Sequence, residues 1–311
     1  MVQQSIITTK DISVIACPLQ AGQSLEGVQG GPRKIIELGL LTQIETMGWK
    51  ANYENNDDIT SLCPKEDPVV MNLKNPKYVS AATHRLSQQI YERARLHDQF
   101  ILTLGGDHSI ALGSVSGIFQ AYPDACLIWV DAHADINTPE TTDSGNIHGC
   151  PLSFLTGIAT NHPDFQWVKS LVKPERLTYI GLRDVDDGEK KILQDFGIKA
   201  FSMHHVDKYG IGKVMEMALD AVNPNRDRPI HLSFDVDALD PSVAPSTGTP
   251  VRGGLSFREG HYICEHLYET GLLVATDIVE VNPALEDEES AFRTVEVACS
   301  LARCCLGETL L

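Results

Sequence analysis

Cys126-Leu-Ile-Trp-Val130, followed at once by Asp131-Ala-His133-Ala-Asp135, is the stretch that decides the fold. An unbroken apolar run describes a strand covered on both faces, as in a parallel sheet held between two layers of helices. The abrupt change to acids and a histidine marks the carboxyl end of that strand, which is where open parallel sheets bind ligands. The same punctuation recurs along the chain. Ile101-Leu-Thr-Leu104 runs into Gly105-Gly-Asp-His108, His231-Leu-Ser-Phe234 into Asp235-Val-Asp237, and Ala275-Thr-Asp-Ile-Val279 into Glu280.

Outward from these, Val/Ile-rich runs near 12–17, 99–104, 126–131, 177–182, 198–202, 230–236 and 273–280 read as strands. Amphipathic segments near 32–47, 78–97, 109–121, 188–196, 211–222, 256–269 and 289–306 read as helices between them. This alternation is the pattern of βα units on a parallel sheet, an α/β fold. No Gly/Ser- or Pro-rich linker interrupts it, and the polar stretch from Glu54 to Asp67 reads as a solvated loop. Residues 1–311 are therefore expected to form one domain.

Composition removes several classes of function. With 25 Lys and Arg against 42 Asp and Glu, the net charge of −17 repels phosphate backbones and anionic membranes, so no nucleic acid partner is expected. No apolar run approaches the ~20 residues of a membrane-spanning helix. The first residues lack a basic region leading into an apolar stretch, so a cytoplasmic chain with no membrane association is expected. Eight cysteines are scattered through the chain without any Cys-x-x-Cys, which argues against a zinc ribbon and suits a reducing compartment.

The chemistry lies in the strand-end acids. Extended backbone alternates with period two, so Asp131, His133 and Asp135 are expected to point one way, and Asp235 and Asp237 likewise. Four such carboxylates bring about −4 to one edge, which requires cationic compensation. Two divalent ions cancel that charge, and neutral His108 and His133 complete the ligand set. Mixed oxygen and imidazole ligands suit Mn²⁺, with Zn²⁺, Co²⁺ and Ni²⁺ as competitors. A water held between two such ions is acidified to hydroxide, which leaves the cluster negative and favours a cationic substrate. Asp235-Val-Asp237 does not open a calcium loop, because Asp240 and Ser246 stand where an EF-hand needs Gly and Glu.

Gly105-Gly-Asp-His-Ser109, Asp131-Ala-His-Ala-Asp-Ile-Asn137, Ser144-Gly-Asn-Ile-His-Gly149 and Ser233-Phe-Asp-Val-Asp-Ala-Leu-Asp-Pro241 together resemble the ureohydrolase family. With Gly181-Leu-Arg-Asp-Val-Asp186 and Glu280-Val-Asn-Pro283 added, the set is similar to its arginase branch, in order and over nearly the whole chain. The resemblance implies a three-layer α/β/α domain with a parallel, mostly eight-stranded sheet. It implies two Mn²⁺, one held by His108, Asp131, Asp135 and Asp235, the other by His133, Asp131, Asp235 and Asp237, with Asp131 and Asp235 bridging.

The reaction implied is hydrolysis of L-arginine to L-ornithine and urea by a metal-bridging hydroxide. Glu280 matches the residue that orients the guanidinium, and His148 matches the histidine that returns a proton to the leaving amine. Asn137, Thr142, Ser144 and Asn146 match groups that bind the α-carboxylate, Asp186 and Glu189 those that face the α-amino group, and Thr249 a guanidinium contact. Agmatine or another guanidino compound is the competing substrate, and a silent metal-binding scaffold the competing class. Gln29 stands where many members carry an acid, and Ala134 where some carry Thr. The resemblance also implies a homo-oligomer, trimer or hexamer, although the chain stops at Leu311 without the longer tail that braces some trimers.

Overall fold

The computed structural model describes residues 5–309. Eight strands, β1 (Asp11–Cys17), β2 (Lys50–Glu54), β3 (Phe100–Gly105), β4 (Cys126–Val130), β5 (Leu177–Leu182), β6 (Lys199–Ser202), β7 (Ile230–Asp235) and β8 (Leu273–Val279), form one sheet in the order β2-β1-β3-β8-β7-β4-β5-β6. Every pairing is parallel. The helices are α1 (Gly31–Glu37), α2 (Leu40–Thr46), α3 (Pro76–Ala94), α4 (Ala111–Ala121), α5 (Pro151–Leu155), α6 (Asp187–Asp195), α7 (Met203–Tyr209), α8 (Ile211–Val222), α9 (Phe257–Glu269) and α10 (Glu288–Cys304).

Alternate residues of each inner strand feed two separate cores, as a sheet clothed on both faces requires. Cys126, Ile128 and Val130 pack into the layer that holds Ile35, Ile44, Val214, Ile263 and Val295, from α1, α2, α8, α9 and α10. Leu127 and Trp129 pack into the opposite layer with Val79, Ile90, Val115 and Leu152, from α3, α4 and α5. The three-layer architecture follows from that division.

The structure adds β2 to the strands legible in the sequence. Lys-Ala-Asn-Tyr-Glu is a half-exposed edge strand that, among the described residues, pairs only with β1, so it needs no apolar run and shows none. The segment read as one helix over 32–47 is two, because Gly39 takes a left-handed φ of 93° between α1 and α2. The short helices α5 and α7 carry too few turns to show a period.

The strands whose ends carry the marked acids are β3, β8, β7 and β4, consecutive neighbours at the centre of the sheet. Gly106 laces that edge together: its N–H donates to the Cys17 carbonyl at 2.9 Å, and its own carbonyl accepts from the Glu280 N–H at 2.8 Å. A Cβ on Gly106 would stand 1.8 Å from the Leu19 carbonyl oxygen. Gly106→Ala is therefore expected to lower stability by about 3 kcal/mol or more in urea unfolding. A midpoint equal to that of the parent would show that the loop yields.

Candidate active site

The turn after β3 is set by Asp107, whose carboxylate accepts from the Gly22 N–H at 2.8 Å and the Ser109 N–H at 3.0 Å. Burial, followed by the charge of Glu280, pushes Asp107 up to about 6. The turn aims His108 back over the sheet edge, where its ring lies flat on Trp129 with centroids 3.9 Å apart. His108 Nδ1 then stands 3.1 Å from Asp131 Oδ2, 3.2 Å from Asp135 Oδ2 and 3.3 Å from Asp235 Oδ2. His133 Nδ1 stands 3.4 Å from Asp131 Oδ1 and 3.2 Å from Asp237 Oδ2.

Two ligand groups emerge among the described residues: His108, Asp131 and Asp235, and Asp131, His133 and Asp237, with donor atoms within 4.8 Å of one another in each. Asp131 belongs to both and turns a different oxygen to each histidine, the arrangement of a bridging carboxylate. Asp235 joins only the first group, and its Oδ1 accepts from the Asp237 N–H at 2.8 Å. Asp135 joins through His108.

The convergence does not come from strand pleating. β4 ends at Val130, the chain bends, and Asp135 takes a left-handed φ of 49°. Asp237 sits in a one-turn helix, Val236–Ala238, just beyond β7. Glu280 is also left-handed, at φ 63°. Such backbone costs a non-glycine residue about 1–2 kcal/mol, held here by the surrounding hydrogen bonds.

The donor chemistry fits a pair of dications. Ser233 Oγ donates to Asp277 at 3.2 Å, so it accepts from His108 Nε2–H at 2.9 Å, which leaves Nδ1 bare toward three carboxylates. A single proton on that nitrogen serves one or two of those oxygens and not all three. Without an ion the cluster distorts its own titration. Burial pulls His108 down, but Asp131, Asp135 and Asp235 outweigh it and raise it well above its ordinary value. Burial, then Asp237 and Asp131, drive Asp235 far up, and burial with Asp131 takes Asp135 to about 6.

Glu280 Oε1 accepts from the His108 N–H at 2.9 Å and pairs with His148 Nδ1, also at 2.9 Å. Burial alone would lower His148, yet the hydrogen bond and charge of Glu280 raise it to about 9, so it is protonated at neutral pH. Both groups border a cavity of about 330 Å³ or lie beside it. Its lining includes His133, His148, Asp135, Asp235, Asp237, Asn137, Thr142, Ser144, Asn146, Asp186, Glu189 and Thr249.

Several lining groups already have their acceptors occupied. Asn137 Oδ1 accepts from Thr141 at 2.8 Å, Thr142 Oγ from the Gly145 N–H at 3.1 Å, and Ser144 Oγ from the Asn146 N–H at 3.2 Å. Each oxygen keeps a second lone pair, and each group also carries an N–H or O–H to offer. Glu189 caps α6, accepting from the Ile136 and Asp186 N–H groups at 3.1 Å each, and burial with Asp135 pushes it up to about 7. Asp186 accepts from Asn137 Nδ2 at 2.9 Å. Thr249 Oγ donates to Asp237 Oδ2 at 3.0 Å, which gives it a carboxylate to hold as well as a place on the cavity wall.

The family model described as the arginase family matches residues 10–307. The chain belongs to the arginase family. It is 57% identical over 312 residues to an arginase of Glaciozyma antarctica, covering 98% of this chain and 90% of that protein. It is 53% identical to an arginase of Neurospora crassa, covering 97% and 87%. Among solved structures, the arginase from Bacillus caldovelox superimposes with a TM-score of 0.88 at 36% identity, over 97% of this chain and all of that one.

Sequence reasoning overlooked several residues that shape this family's site here. Trp129 donates to Asp131 Oδ2 at 2.9 Å besides stacking on His108. Ser233 and Asp277 fix the far nitrogen of His108, and His231 bonds Asp277 at 3.0 Å. A lone acid inside Leu273–Val279 was the available signal. Arg183 binds the carbonyls of Asp237, Ala238, Leu239 and Val251 with its guanidinium.

Because Asp131 serves both groups, Asp131→Asn is expected to lose both ions and Asp237→Asn to keep one. Metal content per chain after dialysis decides it; two ions retained by Asp131→Asn would overturn the shared-ligand geometry.

Proposed function

We propose that the chain is a manganese-dependent arginase that hydrolyses L-arginine and water to L-ornithine and urea. The observation that carries this reading is one cavity containing two histidine–carboxylate groups joined through Asp131, beside a loop that presents uncharged amide and hydroxyl groups. His108, Asp131, Asp135 and Asp235 would hold one ion, and His133, Asp131, Asp235 and Asp237 the other. When bound, the two dications supply a water acidic enough to attack a guanidinium carbon at neutral pH.

The chain's own residues handle the rest. Glu280, buried beside His148, takes the guanidinium and holds its carbon toward the aspartates. Thr249 keeps Asp237 in position at the same wall. As the carbon–nitrogen bond to the ornithine side breaks, the departing amine must be protonated, and His148 carries that proton on a ring charged at neutral pH. Asn137, Thr142, Ser144 and Asn146 supply hydrogens to the α-carboxylate, while Asp186 and Glu189 face the α-ammonium. Agmatine has no carboxylate to use the first set.

We read the chain as a cytoplasmic enzyme working as one catalytic domain, a reading supported by cysteines scattered without any Cys-x-x-Cys and by the uninterrupted βα alternation. Among the described residues, no helix is long and apolar enough to cross a membrane. We read the assembly as a trimer or hexamer from the family resemblance.

Urea release from L-arginine by the manganese-loaded protein tests the reading, with kcat/KM on arginine expected to exceed that on agmatine by at least about a hundredfold. A fully loaded protein that makes no urea would refute it. His148→Asn is expected to lower kcat by about a hundredfold with two ions still bound. Unchanged turnover in that variant would remove its proton-donating role.

A further inference from the structure

The ionisable lining of the cavity consists of acids and two histidines, with neither Lys nor Arg among the described residues that form its wall. Bound dications offset the inner aspartates, but they leave Asp143, Asp184 and Asp186 in place, and an α-carboxylate must enter past them. One cation, an exposed lysine, contacts a residue of the wall. Lys74 Nζ is 3.3 Å from Asn146 Oδ1, and Asn146 lines the cavity while Lys74 does not.

An ammonium only donates, so its partner on Asn146 must be the oxygen. That choice fixes the otherwise ambiguous amide and leaves Nδ2, with its two hydrogens, free for the cavity. The geometry is secured by the backbone around it. Lys74 N–H donates to the Gly145 carbonyl at 2.9 Å, and Asn72 Nδ2 donates to the Thr142 carbonyl at 2.7 Å. The two loops lie so close that a Cβ on Gly145, itself at φ 70°, would stand 2.2 Å from the Asn72 carbonyl oxygen. Segment 72–74 thus braces segment 142–146 from outside, and its lysine reaches the last of the four carboxylate-binding candidates.

We propose that Lys74 is a positioning residue for substrate recognition: it turns Asn146 into a fixed donor and supplies the positive charge that lets an acid-lined cavity accept an α-carboxylate. The inference rests on the arginine-hydrolysing reading and assigns to that site the group that separates amino acid from simple amine. Lys74 touches no reacting atom, so its effect should fall on KM for carboxylate-bearing substrates.

The test uses the metal-loaded enzyme with Lys74→Met and Lys74→Arg. For Lys74→Met, KM for L-arginine is expected to rise about tenfold with kcat within about twofold, while kcat/KM for agmatine stays unchanged. L-Ornithine should bind about tenfold more weakly by calorimetry and putrescine as before, and Lys74→Arg should restore both readouts to within about threefold. Equal losses on arginine and agmatine, a change in kcat alone, or no change would overturn the role of Lys74 while leaving the arginase reading intact. A parent enzyme that releases no urea from arginine would sink both.

Discussion

Buried aspartates from two strand ends converge within hydrogen-bonding range of two histidines, and that repulsive concentration of charge is the constraint on which the rest of the structure depends. Asp131, Asp135, Asp235 and Asp237 are all buried. In that setting ionised carboxylates persist only when paired, hydrogen-bonded or bound to metal. The fold answers with fixed donors as well as with a place for cations. Trp129 and the His133 N–H hold Asp131, the Asp237 N–H holds Asp235, and Thr249 holds Asp237.

Support for this cluster reaches through the sheet. His108 is oriented from below by Ser233, which is held by Asp277, itself bonded by Ser114 on α4 and His231 on β7. Three elements, α4, β7 and β8, therefore meet at one buried carboxylate outside the cavity wall, and the direction of the His108 Nδ1 lone pair is decided there. Arg183 does the corresponding work for the loop that bears Asp237, using backbone carbonyls where an ion pair would have competed with the site's own charge.

The outer cavity follows a different rule. Its carboxylate-binding candidates are uncharged groups that carry N–H or O–H, so hydrogen-bond donation stands in for local positive charge. At Asn146 the neighbour is a lysine from another loop, which combines the two devices. Asp186 and Glu189 are tied to the start of α6 through a capping box, so the acids proposed to face an ammonium belong to a rigid helix end.

Sequence by itself determined the layered α/β class and the strand-end residues, because an apolar run ending in Asp or His states both that a strand is buried and where its ligand edge lies. It also marked His148 and Glu280 through the family motifs. It could not supply the exposed edge strand β2, whose polar residues leave no pattern, nor the break at Gly39. Pleat alternation was the wrong reason for the clustering of Asp131, His133 and Asp135, since the chain leaves the strand at Val130 and turns through a left-handed Asp135. Tertiary structure alone decided that β3, β8, β7 and β4 are neighbours, and so that His108 meets Asp131 and Asp235. It alone brought Asp277 beneath His108 and Lys74 behind Asn146. Strand order and loop-to-loop contact join residues far apart in the chain, and local residue patterns carry no record of which distant segment will fill the neighbouring place.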